Sequence, residues 1–145
     1  MLIAFLEDDE RRQQAMREFV AIEFPDYAYA FFDNAPDFIA WLDVHLPEVA
    51  LLCLDHDLGP NHIRDGEVFD PGCGCGRDVA DRVASRTPSC PVLIHSTNSY
   101  AVPGMIAVLE ATGWRVDRVV PYNDLEWVQR VWIGAAKALL STAVP

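Results

Sequence analysis

Three short runs of this 145-residue chain hold side chains suited to chemistry: Asp8-Asp9, Asp55-His56-Asp57 and His95-Ser96-Thr97-Asn98. Carboxylates from Asp8, Asp9, Asp55 and Asp57 gathered around one crevice repel one another by several kcal/mol in a poorly solvated site, unless they share a cation or a proton. Oxygen-rich ligation of that kind suits Mg²⁺, with Mn²⁺ as its substitute. Beside a bound cation, His56 and His95 are suited to general acid and base duty, because imidazole titrates close to working pH. Side chains alternate along a strand end. His56 therefore either joins Asp55 or points to the opposite side of the sheet, where it serves as a supporting residue. Taken singly, each acid reads as a solvated loop residue; taken jointly, they read as a site.

What makes them joint is their place after buried strands. Residues 2–6, 49–54 and 91–94 are short apolar runs, each followed by one of the polar clusters, as expected for strands buried on both faces. Residues 27–32 and 115–120 supply two more strands. Helical spacing marks residues 10–22, the stretch after an Asp33 or Asn34 cap, residues around Val79 to Ala84, and Met105 to Leu109. A last helix starts at Asn123 or Asp124 with Glu126 completing a capping box, and carries a stripe of Leu125, Val128, Trp132, Ala135, Ala136 and Leu139. Trp114, Trp127 and Trp132 read as core residues rather than cofactor boxes, with an exposed partner or dimer face at Trp127, off that stripe, as the alternative.

Strict β-α alternation predicts a single domain over residues 1–145. Its expected form is a three-layer α/β/α sandwich around a five-stranded parallel sheet of order 2-1-3-4-5. In that order the ligand crevice opens between strands 1 and 3, where Asp8-Asp9 and Asp55-His56-Asp57 end up, and strand 4 brings His95 to Asn98 alongside.

Composition narrows the partners. The formal net charge of −11, from 11 Lys plus Arg against 22 Asp plus Glu, leaves no basic footprint for long nucleic acid. A short phosphate-bearing end remains compatible if a metal screens the acids. The N-terminus lacks the basic flank of a secretory signal, and no apolar run approaches the roughly 20 residues that span a bilayer. No membrane partner is expected, a cytoplasmic protein is, and its four cysteines are expected to be reduced thiols, with Cys53 and Cys90 as core fillers.

The runs Leu6-Glu-Asp-Asp-Glu-Arg11, Leu54-Asp-His-Asp-Leu-Gly59 and Ile94-His-Ser-Thr-Asn98 together resemble the cyclic-phosphate-processing receiver domains, an atypical branch of the response-regulator receiver superfamily. The resemblance covers nearly the whole chain and implies a flavodoxin-like, receiver-like fold. It also implies a divalent cation on Asp8, Asp9 and Asp55 and hydrolysis of a cyclic phosphate, such as a 2′,3′-cyclic phosphate on an RNA end or nucleotide. On this reading His95, His56 and Asp55 are catalytic, Ser96, Asn98 and Asp57 contact phosphate or substrate, and Arg11 clamps phosphate or orients the acids. An ordinary phosphoacceptor receiver carries a lysine before the proline at 121. Here Val120 stands there, which argues against phosphorylation of Asp55.

Three readings therefore compete: a metal-dependent cyclic phosphodiesterase, a receiver that signals by binding a protein partner or second copy, and a receiver still phosphorylated on Asp55. The glycine-rich stretch at residues 59–76 reads as a long loop acting as a flap over the site. Its Gly72-Cys-Gly-Cys-Gly76 end has no Walker lysine and so is not a nucleotide P-loop. Zinc on Cys73 and Cys75 with His62 falls short of the four ligands a structural site takes and is not expected. His45 reads as a capping or surface residue.

Overall fold

The computed structural model describes residues 1–59 and 72–142 and, between them, the backbone of residues 63–64 and 67–68. Five strands form the main sheet: β1 (Leu2–Leu6), β2 (Ala28–Phe32), β3 (Val49–Leu54), β4 (Val92–His95) and β5 (Val116–Val119). All pair in parallel, in the order β2-β1-β3-β4-β5, as the alternation of apolar runs and helical stretches predicts. Residues 59–76 are not wholly without regular structure, since Ile63–Arg64 and Glu67–Val68 form a short antiparallel pair. His62 lies outside the described residues.

Period-2 alternation splits the strands between two cores. Ala4, Leu6, Leu52, Leu54, Val92 and Ile94 pack against α2 (Ala35–His45), α3 (Gly76–Ala84) and α4 (Val102–Ala111). Ile3, Phe5, Leu51, Cys53 and Leu93 pack on the other face, against α1 (Glu10–Glu23) and the C-terminal helix. The result is the three-layer sandwich. Phe5 anchors the second core, stacked 4.2 Å from Phe31 and with the tilted Trp132 ring 5.5 Å away.

Caps set the helix starts that border the crevice. Asp9 closes α1 by accepting from the Arg12 N–H at 2.9 Å, and Asn34 closes α2 by accepting from the Asp37 N–H at 2.8 Å. The C-terminal helix departs from expectation. Asn123 and Asp124 adopt φ of 42° and 53°, outside the extended range an N-cap needs, so regular helix begins only at Glu126.

A π-helical segment, Val128–Trp132, then precedes α5 (Ile133–Ser141). Its wider turn shifts the phase of the helix, so Trp127 is fully buried with Val128, Trp132 and Ile133 rather than off the stripe. Trp127 is therefore core, in line with the first reading of its residue type, and the alternative of a partner face there falls away. Its indole N–H donates to the Asp124 carbonyl at 2.9 Å, which satisfies the one polar atom that burial would otherwise strand.

Cys53 and Cys90 are buried, and burial pushes both thiols up, Cys90 to about 12, so they fill space as neutral groups. His45 stacks 4.7 Å from Trp41, with Nδ1 3.1 Å from Glu48. No helix among the described residues is long and apolar enough to cross a membrane.

Candidate functional site

Three adjacent strands deliver polar groups to one face at their carboxyl ends. Continuing the alternation that buries Ile3 and Phe5 places Glu7 on the α1 side of the sheet; the same step after Cys53 places Asp55, and after Leu93 places His95. Backbone bonds hold these ends in register beyond the strands proper: the Glu7 N–H donates to the Phe32 carbonyl at 2.9 Å and the Asp55 N–H to the Leu6 carbonyl at 3.0 Å. Glu7, Asp55 and His95 are all buried, and their ligand-capable atoms lie within 4.8 Å of one another.

Glu7 is the acid that sequence reasoning passed over in favour of Asp9. Its Oε2 accepts from His95 Nε2 at 3.0 Å, and its Oε1 accepts from the Asp9 N–H at 3.0 Å. A carboxylate is an acceptor, so the imidazole proton sits on Nε2, and Nδ1 is left buried without a hydrogen-bond partner among the described residues. The ring is steadied from one side by Trp127, 5.9 Å away and nearly parallel. Asp9 itself is exposed and its carboxylate caps α1, so the structure brings Glu7 and Asp8, not Asp8 and Asp9, toward Asp55.

Burial and the neighbouring Glu7 charge push the Asp55 carboxyl up to about 8, against the lowering pull of the His56 N–H and the Arg12 guanidinium. Burial likewise raises Asp8, although the Gly59 N–H donates to its Oδ2 at 2.7 Å and pulls the other way. Gly59 makes that contact at φ 93°, a conformation that favours glycine. Gly76 is fixed for a different reason: its N–H donates to the His56 carbonyl, and a Cβ there would lie 2.0 Å from the Asp55 carbonyl oxygen. The start of α3 thus presses directly on the backbone that carries Asp55.

The cation at the acids is Arg12, not Arg11. Arg12 Nη1 lies 3.6 Å from Asp55 Oδ2 and 3.8 Å from Glu7 Oε2, and its guanidinium sits 5.5 Å from the centre of the Trp127 ring. Arg11, expected as the clamp, lies at the rim of the cleft and is held in an exposed ion pair with Asp124 at 2.7 Å. A step of one residue, about 100° around the helix, explains the exchange. Arg12 shares the α1 face with buried Ala15 and Met16, whereas Arg11 shares a face with exposed Gln14.

A second polar group forms at the lip. His56 Nδ1 is 3.0 Å from Asp57 Oδ1, and the Asn98 amide lies 3.2 Å from the same oxygen and 3.3 Å from the imidazole nitrogen. The acceptor-only carboxylate accepts from the Nδ1–H, which leaves Nε2 as the ring nitrogen of His56 with a free lone pair. His56 and His95 are therefore members of separate clusters. Ser96 is buried; its hydroxyl accepts from the Asn98 N–H at 3.1 Å and its carbonyl from Arg118 Nη2 at 3.0 Å.

Above these groups opens a cleft of about 560 Å³, walled by Asp8, Asp55, Asp57, Arg12, Ser96 and Thr97 among others. The residues fit a divalent cation. Buried acids whose charges raise Asp55 toward neutrality, relieved by a single guanidinium among the described residues, form an oxygen-rich set of the kind Mg²⁺ or Mn²⁺ takes. The Cys73 region does different work. The Cys73 thiol donates to the Leu58 carbonyl at 3.3 Å, and the Cys75 and Gly76 N–H groups are spent on Asp78 and His56, so these two helix-start donors are not left for an anion.

The model of a family described as the cyclic-phosphate processing receiver domain matches residues 3–111. The chain belongs to that family. Receiver domains are also its structural neighbours. They include the Mn²⁺-bound form of response regulator Rcp1 (TM-score 0.68, 14% identity, 97% of this chain and 95% of that one). The response regulator domain of Thermotoga maritima CheB gives a TM-score of 0.67 at 10% identity, over 100% of this chain and 98% of that one. A DNA-binding response regulator of the LuxR family from Staphylococcus aureus gives 0.64 at 15% identity, over 96% and 98%. At such identities the likeness establishes the fold. No curated protein matches the chain significantly.

In this receiver domain Val120, half exposed, precedes Pro121 where a phosphoacceptor receiver carries its lysine. Arg12 supplies positive charge to the acids from another element, α1 rather than the end of β5.

Proposed function

We propose that this receiver domain, folding as one unit over residues 1–145, hydrolyses a small cyclic phosphodiester such as a 2′,3′-cyclic phosphate on a nucleotide or RNA end. Glu7, Asp8 and Asp55 hold a divalent cation, Mg²⁺ or Mn²⁺. The observation that carries the reading is the convergence of Glu7, Asp55 and His95 within 4.8 Å beneath an open, acid-walled cleft. When bound, the cation offsets charge that gathers on the phosphate oxygens and polarises the attacking water.

The chain's own groups divide the remaining work. His95, fully buried and bonded to Glu7, positions that carboxylate rather than touching substrate. Arg12 exchanges its contacts with the acids for the unesterified phosphate oxygens. His56, held by Asp57 and Asn98, accepts the water proton at Nε2 and returns it to the leaving sugar oxygen. Ser96 and Thr97 line the wall the phosphate faces. Water adds to phosphorus, one ring P–O bond breaks, and a phosphomonoester with a free hydroxyl leaves. A cytoplasmic setting, with reduced thiols and free nucleotides, accords with this chemistry.

Incubation with a nucleoside 2′,3′-cyclic monophosphate and Mg²⁺ or Mn²⁺, followed by phosphorus NMR, tests the reading. Conversion to a monoester that is lost in Asp55→Asn is expected; no conversion under either metal contradicts it.

A signalling reading has its own support, because Asp55 lines the cleft at the end of β3 beside further acids, in a fold shared with response regulators. It casts the domain as a partner-binding receiver, with or without a phosphoryl group on Asp55. Labelling with acetyl phosphate or beryllofluoride separates the two. Uptake at Asp55 favours signalling, and its absence beside cyclic-phosphate turnover favours the enzyme.

A further inference from the structure

A second, smaller cavity of about 260 Å³ lies between the start of α1 and the turn that follows β5. It shares Asp9, Arg11, Arg12 and Thr97 with the acid-walled cleft, so the two hollows have a common wall. Its own lining comes from the turn residues Pro121, Tyr122, Asn123, Asp124 and Leu125. The volume falls just below the roughly 300–1,000 Å³ of sites that enclose a whole small ligand, which suits one ring of a ligand whose remainder occupies the neighbouring cleft.

The chemistry of the lining is that of a planar ring with a polar edge. Tyr122 is 41% exposed, offering an aromatic face to solvent, and Pro121 beside it is apolar. The guanidinium groups of Arg11 and Arg12 are flat cations that stack on π systems. Asn123 brings an amide with both donor and acceptor capacity, the type of group that reads a base edge.

The turn is also held at a cost. Asn123 and Asp124 take consecutive positive φ values of 42° and 53° with no glycine to ease them. Arg11 grips the Asp124 carboxylate at 2.7 Å and the Trp127 indole N–H grips the Asp124 carbonyl at 2.9 Å, fixing the Tyr122–Asn123 segment beside the cavity.

We infer that this cavity is a nucleobase subsite: the base stacks on Tyr122 while the phosphate lies in the adjoining cleft near Arg12. The inference rests on the proposed function and narrows its substrate class to nucleosides carrying a cyclic phosphate, as against cyclic phosphates on bare sugars or glycerol.

The test compares binding of adenosine 2′,3′-cyclic monophosphate, the same ribose cyclic phosphate without a base, and inorganic phosphate, each by calorimetry with Mg²⁺ in a His56→Gln background that lacks the proposed general base. Base stacking on one aromatic ring corresponds to about a tenfold preference for the nucleotide over its baseless analogue. Tyr122→Ala is expected to bring that ratio close to one, and Tyr122→Phe to keep it, with thermal melts confirming that both variants fold. Equal affinity for the two cyclic phosphates, or a ratio that Tyr122→Ala leaves intact, overturns the subsite while the phosphate site stands. If none of the three probes binds, the functional reading beneath it fails, and the subsite fails with it.

Discussion

The Glu7 carboxylate and the His95 imidazole meet at 3.0 Å with neither side chain exposed to solvent. Through this bond β4 supports an acid presented by β1, two positions away across β3. Replacing His95 with phenylalanine keeps a ring against Trp127 but removes the donor, stranding a buried carboxylate. His95→Phe is expected to cost about 1–3 kcal/mol of stability and to weaken divalent cation binding. Denaturant melts and a metal titration on the same sample check both halves; an unchanged metal affinity removes His95 from the positioning role.

Asp55 makes the metal-free protein pH-sensitive. Its folded-state carboxyl is raised from 3.8 to about 8, so between those values the unfolded chain has released a proton that the folded chain retains. Stability therefore declines as pH rises from about 4 to about 8, and levels off above that. Asp55→Asn should flatten the profile across this window. Thermal melts in chelator at half-unit steps provide the reading, and a profile that rises with pH through this range goes against the burial of an uncompensated acid.

Arg12 and a bound cation compete for the same oxygens, so removing the guanidinium should move two affinities in opposite directions. Arg12→Ala is expected to strengthen Mn²⁺ binding and to weaken inorganic phosphate binding roughly tenfold, the equivalent of one charge-assisted hydrogen bond. Arg11→Ala, which breaks only the exposed pair with Asp124, should leave both nearly unchanged and cost under about 1 kcal/mol in stability. Calorimetric titrations on the two variants decide which arginine serves the cleft.

Gly76 tests whether α3 sets the position of Asp55. Any side chain at 76 drives its Cβ into the Asp55 carbonyl, 2.0 Å away, so the helix start or the strand end must shift. Gly76→Ala is expected to lose about 1–3 kcal/mol and to impair metal binding together with stability. The same substitution at Gly134, where a Cβ meets nothing within 4 Å, serves as the control and should stabilise the helix slightly.

The sheet order, the helices and the crevice at the ends of β1 and β3 were legible because buried apolar runs and capping residues are local signals. Asp55 was legible for the same reason. Glu7 was passed over since Asp8 and Asp9 look equally acidic in sequence; only the alternation through Ile3 and Phe5 marks it as the residue facing Cys53, Asp55 and His95. Arg12 was readable from its helical spacing to Ala15 and Met16, a cue masked by attention to its neighbour. Trp127 was readable as core by residue type but not by spacing. The π-helical turn at Val128–Trp132 breaks the 3.6-residue rhythm on which the stripe depends, and no residue type announces such a turn.

The whole account rests on a divalent cation held by acids from β1 and β3. Titrating Mn²⁺ into the metal-free protein and following free Mn²⁺ by electron paramagnetic resonance addresses it directly. One site per chain is expected, lost in Asp55→Ala and in Glu7→Gln, and retained in Asp9→Asn. No saturable site, or a site that survives both of the first two substitutions, contradicts the claim.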